Sequence, residues 1–320
     1  MRSRESPVAS WCRASSWSQG NAGMIVRMPW LRRYDLIQII TLLKPIFRSG
    51  LILSPEVKEQ RHRGTGMCRH FLMSVLNSFS GNLNVAVVGA SGGIGSEFVR
   101  QLADDKRVAR VAAFARSTHN GSKNKVSPGT IDICDEASIR DAAAEAARDQ
   151  ELDLVIVATG ILHQGDAVRP EKSLRDIDAD AIMEVIRVNT VGPALVARHF
   201  LPHMRRDAKS VFAALSARVG SIGDNRLGGW VSYRSSKAAL NMVLKTLSIE
   251  HARRFPESIV AGLHPGTVDT QLSAPFQRRV PEGKLFTASM SVRYMLSVID
   301  SLAPADSGRV FAWDGSPIEY

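Results

Sequence analysis

The stretch "NVAVVGASGGIG", residues 84–95, decides the fold. A short run of β-branched and small apolar residues ends at Gly89, and a glycine-rich turn leads into an amphipathic segment. Parallel α/β sheets bind the phosphates of a dinucleotide at such a strand–turn–helix junction. Gly89 allows the chain to turn tightly, Gly93 allows the backbone to approach a pyrophosphate, and Gly95 removes a side chain where helix meets sheet.

The same turn offers free N–H groups and a helix dipole, both of which attract phosphates. The candidate dinucleotide contacts here are Gly89, Ser91, Gly92, Gly93, Ile94 and Gly95. The spacing is G-x-x-x-G-x-G rather than the commoner G-x-G-x-x-G, and glycine clusters are frequent in loops. The interpretation as a dinucleotide-binding turn therefore depends on the position of the turn after a first strand and not on the number of glycines.

Outward from this turn, apolar runs alternate with segments of helical period. Strands are predicted at 84–90, 108–116, 129–133, 152–160, 209–217, 258–266 and 308–315, and helices at 94–104, 137–149, 178–204 and 229–253. Such alternation is typical of βαβ units. We therefore expect a single doubly wound, Rossmann-type α/β domain over residues 83–320, with a parallel seven-stranded sheet and helices on both faces.

The net charge of +10 over 320 residues is unevenly distributed. Residues 1–80 hold 12 Lys and Arg against four Asp and Glu, whereas the remainder holds 29 against 27. The basic excess belongs to the leader, which argues against a nucleic-acid binder. Three scattered cysteines without a C-x-x-C pair, and histidines without ligand spacing, predict neither a disulfide scaffold nor a metal site.

Residues 1–82 are predicted to be a basic, poorly ordered N-terminal extension. Its apolar run "DLIQIITLLKPIF" (35–47) is short and is interrupted by Lys44 and Pro45, so we expect no membrane span. Three interpretations stay open: a transit peptide, a disordered or loosely helical arm, or upstream sequence with the true start at Met67 or Met73. We expect a cytoplasmic protein and leave organelle targeting open.

The end of the second strand bears on cofactor choice. The acid that binds the adenine ribose hydroxyls about 20 residues after the turn is missing, and "FARST" places Arg116 there instead. An arginine favours the 2′-phosphate of NADP(H) over NAD(H), although it is also a common surface residue at a strand end. Asp132, after the third strand, could accept a hydrogen bond from the adenine amino group or cap a loop.

The stretch "VSYRSSKAALNM" (231–242) places Tyr233 and Lys237 one turn apart on one helix face. A lone Y-x-x-x-K is usually two exposed polar groups. A proton-transfer pair also needs a cofactor site, a nearby serine and a second loop. Here Ser216 ends the fifth strand, and "HPGTVDT" (264–270) follows the sixth.

These elements, with "RVNTVGP" after the fourth strand, follow one another in the order and at the separations of the short-chain dehydrogenase/reductase family, which the chain resembles from about residue 83 to 320. The stretches "LSARVGSI", "YRSSKAALNM" and "LHPGTVDTQLS" look most like the C-factor-like branch, which includes carbonyl reductases. The resemblance implies an NADP(H)-dependent oxidoreductase acting on a small carbonyl or alcohol, as a homodimer or homotetramer. The alternative is a dinucleotide-binding signalling or regulatory protein with little turnover.

Carried over by resemblance, Tyr233 protonates the substrate oxygen, and Lys237 lowers the pKa of Tyr233 and holds the nicotinamide ribose. Asn189 holds a water that links Lys237 to solvent, and Ser216 positions the carbonyl. The remaining implied cofactor contacts are Ala158, Gly160, Pro265, Gly266, Thr267 and Thr270. For Thr270, a helix N-cap is an equally good interpretation.

Three departures from the family pattern qualify these roles. Ala158-Thr159-Gly160 stands where N-A-G is usual, which costs a structural hydrogen bond. Counted from Gly220, the place of the active-site serine is Ala217, so Ser216 is displaced and Ser221 is the fallback. Ser216 is also further from Tyr233 than usual, which makes "DNRLGG" (224–229) a candidate insertion. Substrate specificity is expected in residues 271–300, a mixed segment that could close as a lid.

Overall fold

A computed structural model describes residues 17–20, 23–26, 75–117 and 124–320. The chain divides into two units, Met1–Cys68 and Arg69–Tyr320. In the first, Trp17–Gly20 pairs antiparallel with Gly23–Val26. The candidate starts Met67 and Met73 and the apolar run 35–47 lie outside the described residues. Across the described ranges, no helix is long and apolar enough to cross a bilayer.

The second unit is built on one eight-stranded sheet. Its strands are β1 (Leu83–Val88), β2 (Val108–Ala115), β3 (Val126–Thr130), β4 (Leu154–Val157), β5 (Ser210–Leu215), β6 (Ser258–His264), β7 (Val310–Ala312) and β8 (Pro317–Ile318). Their order is β3-β2-β1-β4-β5-β6-β7-β8, and every neighbouring pair is parallel except β7 with β8. The predicted doubly wound sheet is confirmed, with one short antiparallel strand added at its edge.

The third strand lies earlier than predicted. Its pairing with β2 runs from Val111 opposite Val126 to Ala115 opposite Thr130, so the predicted range 129–133 is three residues late. This edge strand has a single neighbour, and Pro128, which lacks an N–H, is tolerated there. Ile131 is buried just beyond the ladder, which explains why its apolar side chain misled the prediction.

In the part of the chain that the structure describes, six helices flank the sheet: α1 (Gly93–Asp104), α2 (Glu136–Ala146), α3 (Ala179–Ile186), α4 (Gly192–Phe200), α5 (Val231–His251) and α6 (Ala288–Ser301). The predicted helix 178–204 is divided by a π turn at Arg187–Val191. Helix α6 lies within the predicted lid segment, yet Val292 and Met295 on it are buried in the core. The segment available to cover a site is therefore shorter than predicted and ends near Thr287, the N-cap of α6.

Alternate side chains of β1 enter two core layers, because successive residues of a strand point to opposite faces. Val85 and Val87 pack in a layer with side chains of α1 and α6. Ala86 and Val88 pack in the other, with side chains of α2, α4 and α5. Helices therefore cover both faces of the sheet and leave the carboxyl ends of its strands as the open edge.

The folded unit begins earlier than the predicted boundary at residue 83. Leu76 and Phe79 are buried in the layer that also holds α1. The Val75 N–H donates to the Asp105 carboxylate at 2.9 Å. Residues from 75 onward thus belong to the domain, because two apolar side chains ahead of β1 complete its core.

Candidate active site

A cavity of about 580 Å³ opens at the carboxyl edge of the sheet, where the strand order reverses between β1 and β4. This switch point is where doubly wound sheets bind ligands. Seven predicted cofactor contacts line it: Gly89, Ser91, Gly92, Arg116, Asp132, Ala158 and Gly160. Sequence reasoning missed other lining residues, among them Thr159, His163 and Leu272, because loops after β4 and β6 carry no fixed pattern for them.

The glycine turn is closely packed. Gly89 has a φ of +90°, which favours glycine. A Cβ on Gly95 would lie 2.0 Å from the Gly89 carbonyl oxygen, and one on Gly93 would lie 2.9 Å from Thr270 Cγ2. Gly92, the N-cap of α1, brings no capping side chain. The first N–H groups of α1 are thus left for an anion, and the cradle fits the pyrophosphate of a dinucleotide.

Arg116 and Asp132 lie at the far end of the same cavity, after β2 and β3, and both are exposed. Asp132 accepts the Cys134 N–H at 2.9 Å, so it caps its loop as well as lining the cavity. Within the described residues, Arg116 has no ion-pair partner. Its guanidinium is therefore available to a ligand.

A second cavity of about 190 Å³ is lined by Tyr233 and by aromatic side chains. Trp230 packs edge-on against both Tyr233 and Phe276, with ring centroids 6.3 and 5.0 Å apart. Five of the predicted cofactor contacts line this cavity instead of the first: Ile94, Pro265, Gly266, Thr267 and Thr270. Leu272 lines both cavities, so they adjoin as a cofactor site and a substrate site would.

Tyr233, Lys237 and Asn189 come together beneath Gly160. The Lys237 Nζ lies 5.8 Å from the centre of the Tyr233 ring and donates to the Leu215 carbonyl at 2.8 Å. A Cβ on Gly160 would lie 3.2 Å from Asn189 Oδ1 and 3.5 Å from Lys237 Nζ. The structure therefore places the three predicted residues in one cluster.

Asn189 lies in the π turn between α3 and α4 and is fully buried. Its amide accepts the Ile161 N–H and donates to the Ile161 carbonyl, each at 2.8 Å, and donates to Ser236 Oγ at 3.1 Å. These bonds fix the backbone after β4 against α5. The π turn, an irregularity often found at functional sites, points the amide inward. The predicted water relay stays a prediction.

Burial favours the uncharged form of both members of the pair. It raises the pKa of Tyr233 to about 12, because the packed hydroxyl is disfavoured as phenolate. It lowers the pKa of the Lys237 ammonium to about 8. The expectation that Lys237 lowers the pKa of Tyr233 is not met in this structure, since desolvation dominates and the amine is bonded to Leu215.

Of the two candidate serines, Ser216 lines the substrate cavity with Tyr233, but its hydroxyl is bonded elsewhere. Ser216 Oγ donates to Asn241 Oδ1 at 2.6 Å, and both side chains are buried. Ser221 Oγ accepts the Asp224 N–H at 3.1 Å, and Ser221 is not among the residues lining the described cavity. Ala217, which has an extended backbone, lies in the cavity wall next to Ser216 and contributes a methyl group. The arrangement argues against the predicted role of Ser216, whose hydroxyl is committed to Asn241.

The start of α5 is held by Glu171, which the sequence did not indicate. Its buried carboxylate accepts hydrogen bonds from the N–H and hydroxyl of Ser232, and its carbonyl accepts the Trp230 N–H at 2.7 Å. Trp230 adopts a left-handed backbone, with φ of 54°. The Glu171 carboxylate thus caps the N-terminus of α5, the helix that carries Tyr233. Its negative charge also interacts favourably with the dipole of that helix.

The geometry agrees with comparisons to known proteins. A family model described as short chain dehydrogenase matches residues 83–280. The 1-hydroxy-2-glutathionyl-2-methyl-3-butene dehydrogenase of Rhodococcus sp. (strain AD45) is 32% identical over 238 residues, covering 74% of this chain and 99% of that protein. The C-signal protein of Myxococcus xanthus is 36% identical over 149 residues, covering 46% of this chain and 84% of that protein.

A solved structure gives the same result. The NADPH-bound carbonyl reductase from chicken fatty liver superposes with a TM-score of 0.65 at 27% identity, covering 76% of this chain and 97% of that one. Its fold, the matched family model and the dehydrogenase relative agree with the switch-point cavity and the Tyr–Lys helix. The chain therefore belongs to the short-chain dehydrogenase/reductase family of NAD(P)-dependent oxidoreductases.

Proposed function

We propose that this chain is an NADP(H)-dependent carbonyl reductase that reduces a small aldehyde or ketone, or oxidises the matching alcohol. The observation that carries the proposal is Tyr233, which lines a small apolar cavity beside the dinucleotide cavity and has Lys237 one turn away. A tyrosine there is positioned to exchange a proton with a substrate oxygen.

The reduction divides between cofactor and protein. A bound reduced nicotinamide supplies a hydride to the carbonyl carbon. Tyr233 donates its phenolic proton to the carbonyl oxygen. The product is the alcohol, in which that oxygen stays bonded to the reduced carbon. With a pKa of about 12, Tyr233 holds that proton at pH 7. Lys237, with a pKa of about 8, is mostly protonated at pH 7 and stabilises the phenolate that remains.

NADP(H) is preferred because of the charge at the end of β2. Arg116 lines the dinucleotide cavity without an ion-pair partner among the described residues. A guanidinium matches the 2′-phosphate of NADP, whereas a carboxylate at the same place would repel it. The NADPH-bound chicken enzyme supports the same choice.

We further propose that the protein works as a homodimer or homotetramer in the cytoplasm. Exposed apolar side chains on α3 and α5 support association: Met183 is 66% exposed, Met242 67% and Ile249 54%. The cytoplasmic location stays a prediction from the sequence, with organelle targeting left open.

A dinucleotide-binding signalling protein with little turnover is the second candidate. Ala217 stands in the cavity wall where a serine hydroxyl was expected, and the similarity to the C-signal protein points in the same direction. This candidate predicts tight NADPH binding without reduction of any carbonyl compound. It also predicts that replacing Tyr233 changes nothing measurable.

The test is hydride transfer by Tyr233→Phe. A panel of small aldehydes and ketones is first screened for NADPH oxidation by the wild type. Loss of the phenolic proton donor should then slow single-turnover reduction by about 10²–10⁴-fold, while NADPH affinity stays unchanged. Tyr294→Phe is the matched control, because Tyr294 packs with Phe286 and Trp313 outside the substrate cavity. Equal rates for the wild type and Tyr233→Phe would refute the reductase.

A further inference from the structure

Ser216 lines the substrate cavity together with Tyr233, but its hydroxyl proton is donated to Asn241, so the described hydrogen bonds leave no free serine donor there. Ser221 does not line the cavity, and Ala217 contributes only a methyl group. A carbonyl oxygen that becomes negatively charged during hydride transfer needs a hydrogen bond besides the one from Tyr233.

His264 is the polar side chain best placed to make up for this. It ends β6, the strand next to β5, and the Ser216 N–H donates to the carbonyl of the preceding residue, Leu263, at 2.8 Å. Its ring lines the same cavity as Tyr233 and Ala217. His264 and Ala217 therefore reach the cavity from the ends of adjacent strands.

Apart from the indole N–H of Trp230, the other polar side chains lining the cavity are occupied or peripheral. Ser273 and Thr270 both donate their hydroxyls to the Val268 carbonyl. Arg218 pairs with Asp224 at 3.3 Å, and the remaining hydroxyl, on Thr267, belongs to an exposed residue. His264, in contrast, has an enclosed Nδ1 without a hydrogen-bond partner among the described residues.

We propose that His264 donates a hydrogen bond from Nε2 to the substrate oxygen, in the place that a serine hydroxyl has in relatives. The inference rests on the proposed reductase function and deepens it, because it names the second group that contacts the reacting oxygen. Tyr233 transfers the proton, and His264 orients the carbonyl and stabilises the developing charge without changing its own protonation.

The protonation state of His264 suits a neutral donor. Burial lowers its pKa to about 4, and the positive charge of Arg218 acts in the same direction, against a smaller opposing effect of Asp314. At pH 7 the ring is neutral and carries one N–H. An orphaned buried donor is rarer in proteins than an orphaned acceptor, so the enclosed Nδ1 is the unprotonated nitrogen and Nε2 holds the proton.

A matched pair of substitutions tests this role. His264→Gln keeps an amide donor near the position of Nε2, and His264→Met has similar volume without a donor. His264→Met should lower kcat by about 10²-fold, the cost typical of losing one donor to a developing oxyanion. His264→Gln should retain at least about a tenth of the wild-type kcat. NADPH affinity and the unfolding midpoint should be alike in the two variants.

A serine restored on the neighbouring strand separates donation from packing. Ala217→Ser in the His264→Met background should recover kcat by at least about 10-fold, a gain larger than the same substitution gives in the wild type. Such non-additivity indicates that the two positions serve one function. A packing defect at His264 would not be repaired by a hydroxyl at 217.

The outcomes are distinct. Equal kcat for His264→Met and the wild type, or equal losses in the Met and Gln variants without rescue by Ala217→Ser, overturns the inference. If His264→Met fails to fold, His264→Gln with and without Ala217→Ser decides, because an additive serine effect then refutes shared function. Failure of the reductase proposal looks different: the wild type reduces no carbonyl, or Tyr233→Phe leaves the rate unchanged.

Discussion

The buried amine of Lys237 should make the stability of this domain rise with pH between about 8 and 10. Lys237 is 3% exposed, and burial lowers its pKa from 10.5 to about 8. Its hydrogen-bond partner is the Leu215 carbonyl. A shift of about 2.5 pH units at 1.36 kcal/mol each corresponds to roughly 3 kcal/mol by which folding disfavours the ammonium.

The sign follows from proton binding in the two states. Below pH 8 the folded and unfolded chains both hold the proton, so the full cost of burying the ammonium is present. Between pH 8 and 10.5 the unfolded chain binds more protons than the folded one, so the free energy of unfolding rises with pH. For the pKa of Lys237, the gain from pH 7 to pH 10 is about 2.5 kcal/mol.

Lys237→Met isolates this effect. Methionine fills a similar volume and does not titrate, so the wild type should gain about 2.5 kcal/mol of unfolding free energy relative to the variant between pH 7 and pH 10. Urea denaturation at pH 7, 8, 9 and 10 measures the difference, in which the other titrating groups cancel. Parallel curves for the two proteins would refute the burial of a titrating amine.

Tyr233→Phe is the control for the same measurement. Burial raises the pKa of Tyr233 from its usual 10.0 to about 12, so Tyr233 contributes stability that is complete below pH 10 and is lost as pH rises towards 12. The Phe variant should therefore keep the wild-type rise between pH 7 and 9. If it lost that rise, Tyr233 and Lys237 would titrate as a coupled pair in the cofactor-free protein.

Three further predictions concern the cofactor site and the domain boundary. Arg116→Asp should weaken NADPH relative to NADH by one to two decades, as expected for loss of a charge-assisted phosphate contact of about 1.5–3 kcal/mol; unchanged ratios of dissociation constants would contradict the assignment. Gly95→Ala should abolish NADPH binding in a fluorescence titration, because its Cβ would lie 2.0 Å from the Gly89 carbonyl oxygen, while Gly81→Ala, with nothing within 4 Å, should bind normally. Deletion of residues 1–72 should leave the urea midpoint of unfolding and the NADPH affinity intact. Deletion of residues 1–82 should lower that midpoint, because it removes the buried side chains of Leu76 and Phe79. Equal midpoints for the two deletions would show that these side chains add nothing to the core.

The sheet and the dinucleotide cavity were predictable because their signals are local. The glycine turn after β1 follows from a φ of +90° at Gly89 and from the absence of space at Gly95. Features set by distant contacts were not predictable. The start of β3 depends on its register with β2. The division of the 178–204 helix depends on Asn189, which bonds to the backbone of Ile161.

In the active site, too, features set by local sequence were predictable and features set by distant contacts were not. Helical periodicity sets the Tyr233–Lys237 pair, so its spacing predicted a shared face correctly. Ser216 and Ala217 both line the cavity, whereas the bond of Ser216 Oγ to Asn241 is a contact between β5 and α5 that no local pattern predicts. Counting from Gly220 identified position 217 as the serine's place, and the structure does put Ala217 in the cavity wall.

The alanine at position 217, where the family pattern has a serine, therefore bears on which groups contact the substrate oxygen. A site that keeps Tyr233 and Lys237 but has no free serine hydroxyl beside them has either lost turnover or acquired its second donor from another strand. The end of β6 provides such a donor in His264, which no spacing rule in the sequence connects to position 217. The two positions adjoin only because β5 and β6 pair in parallel, with Leu215 opposite Leu263, so sheet register is what brings this histidine to the substrate.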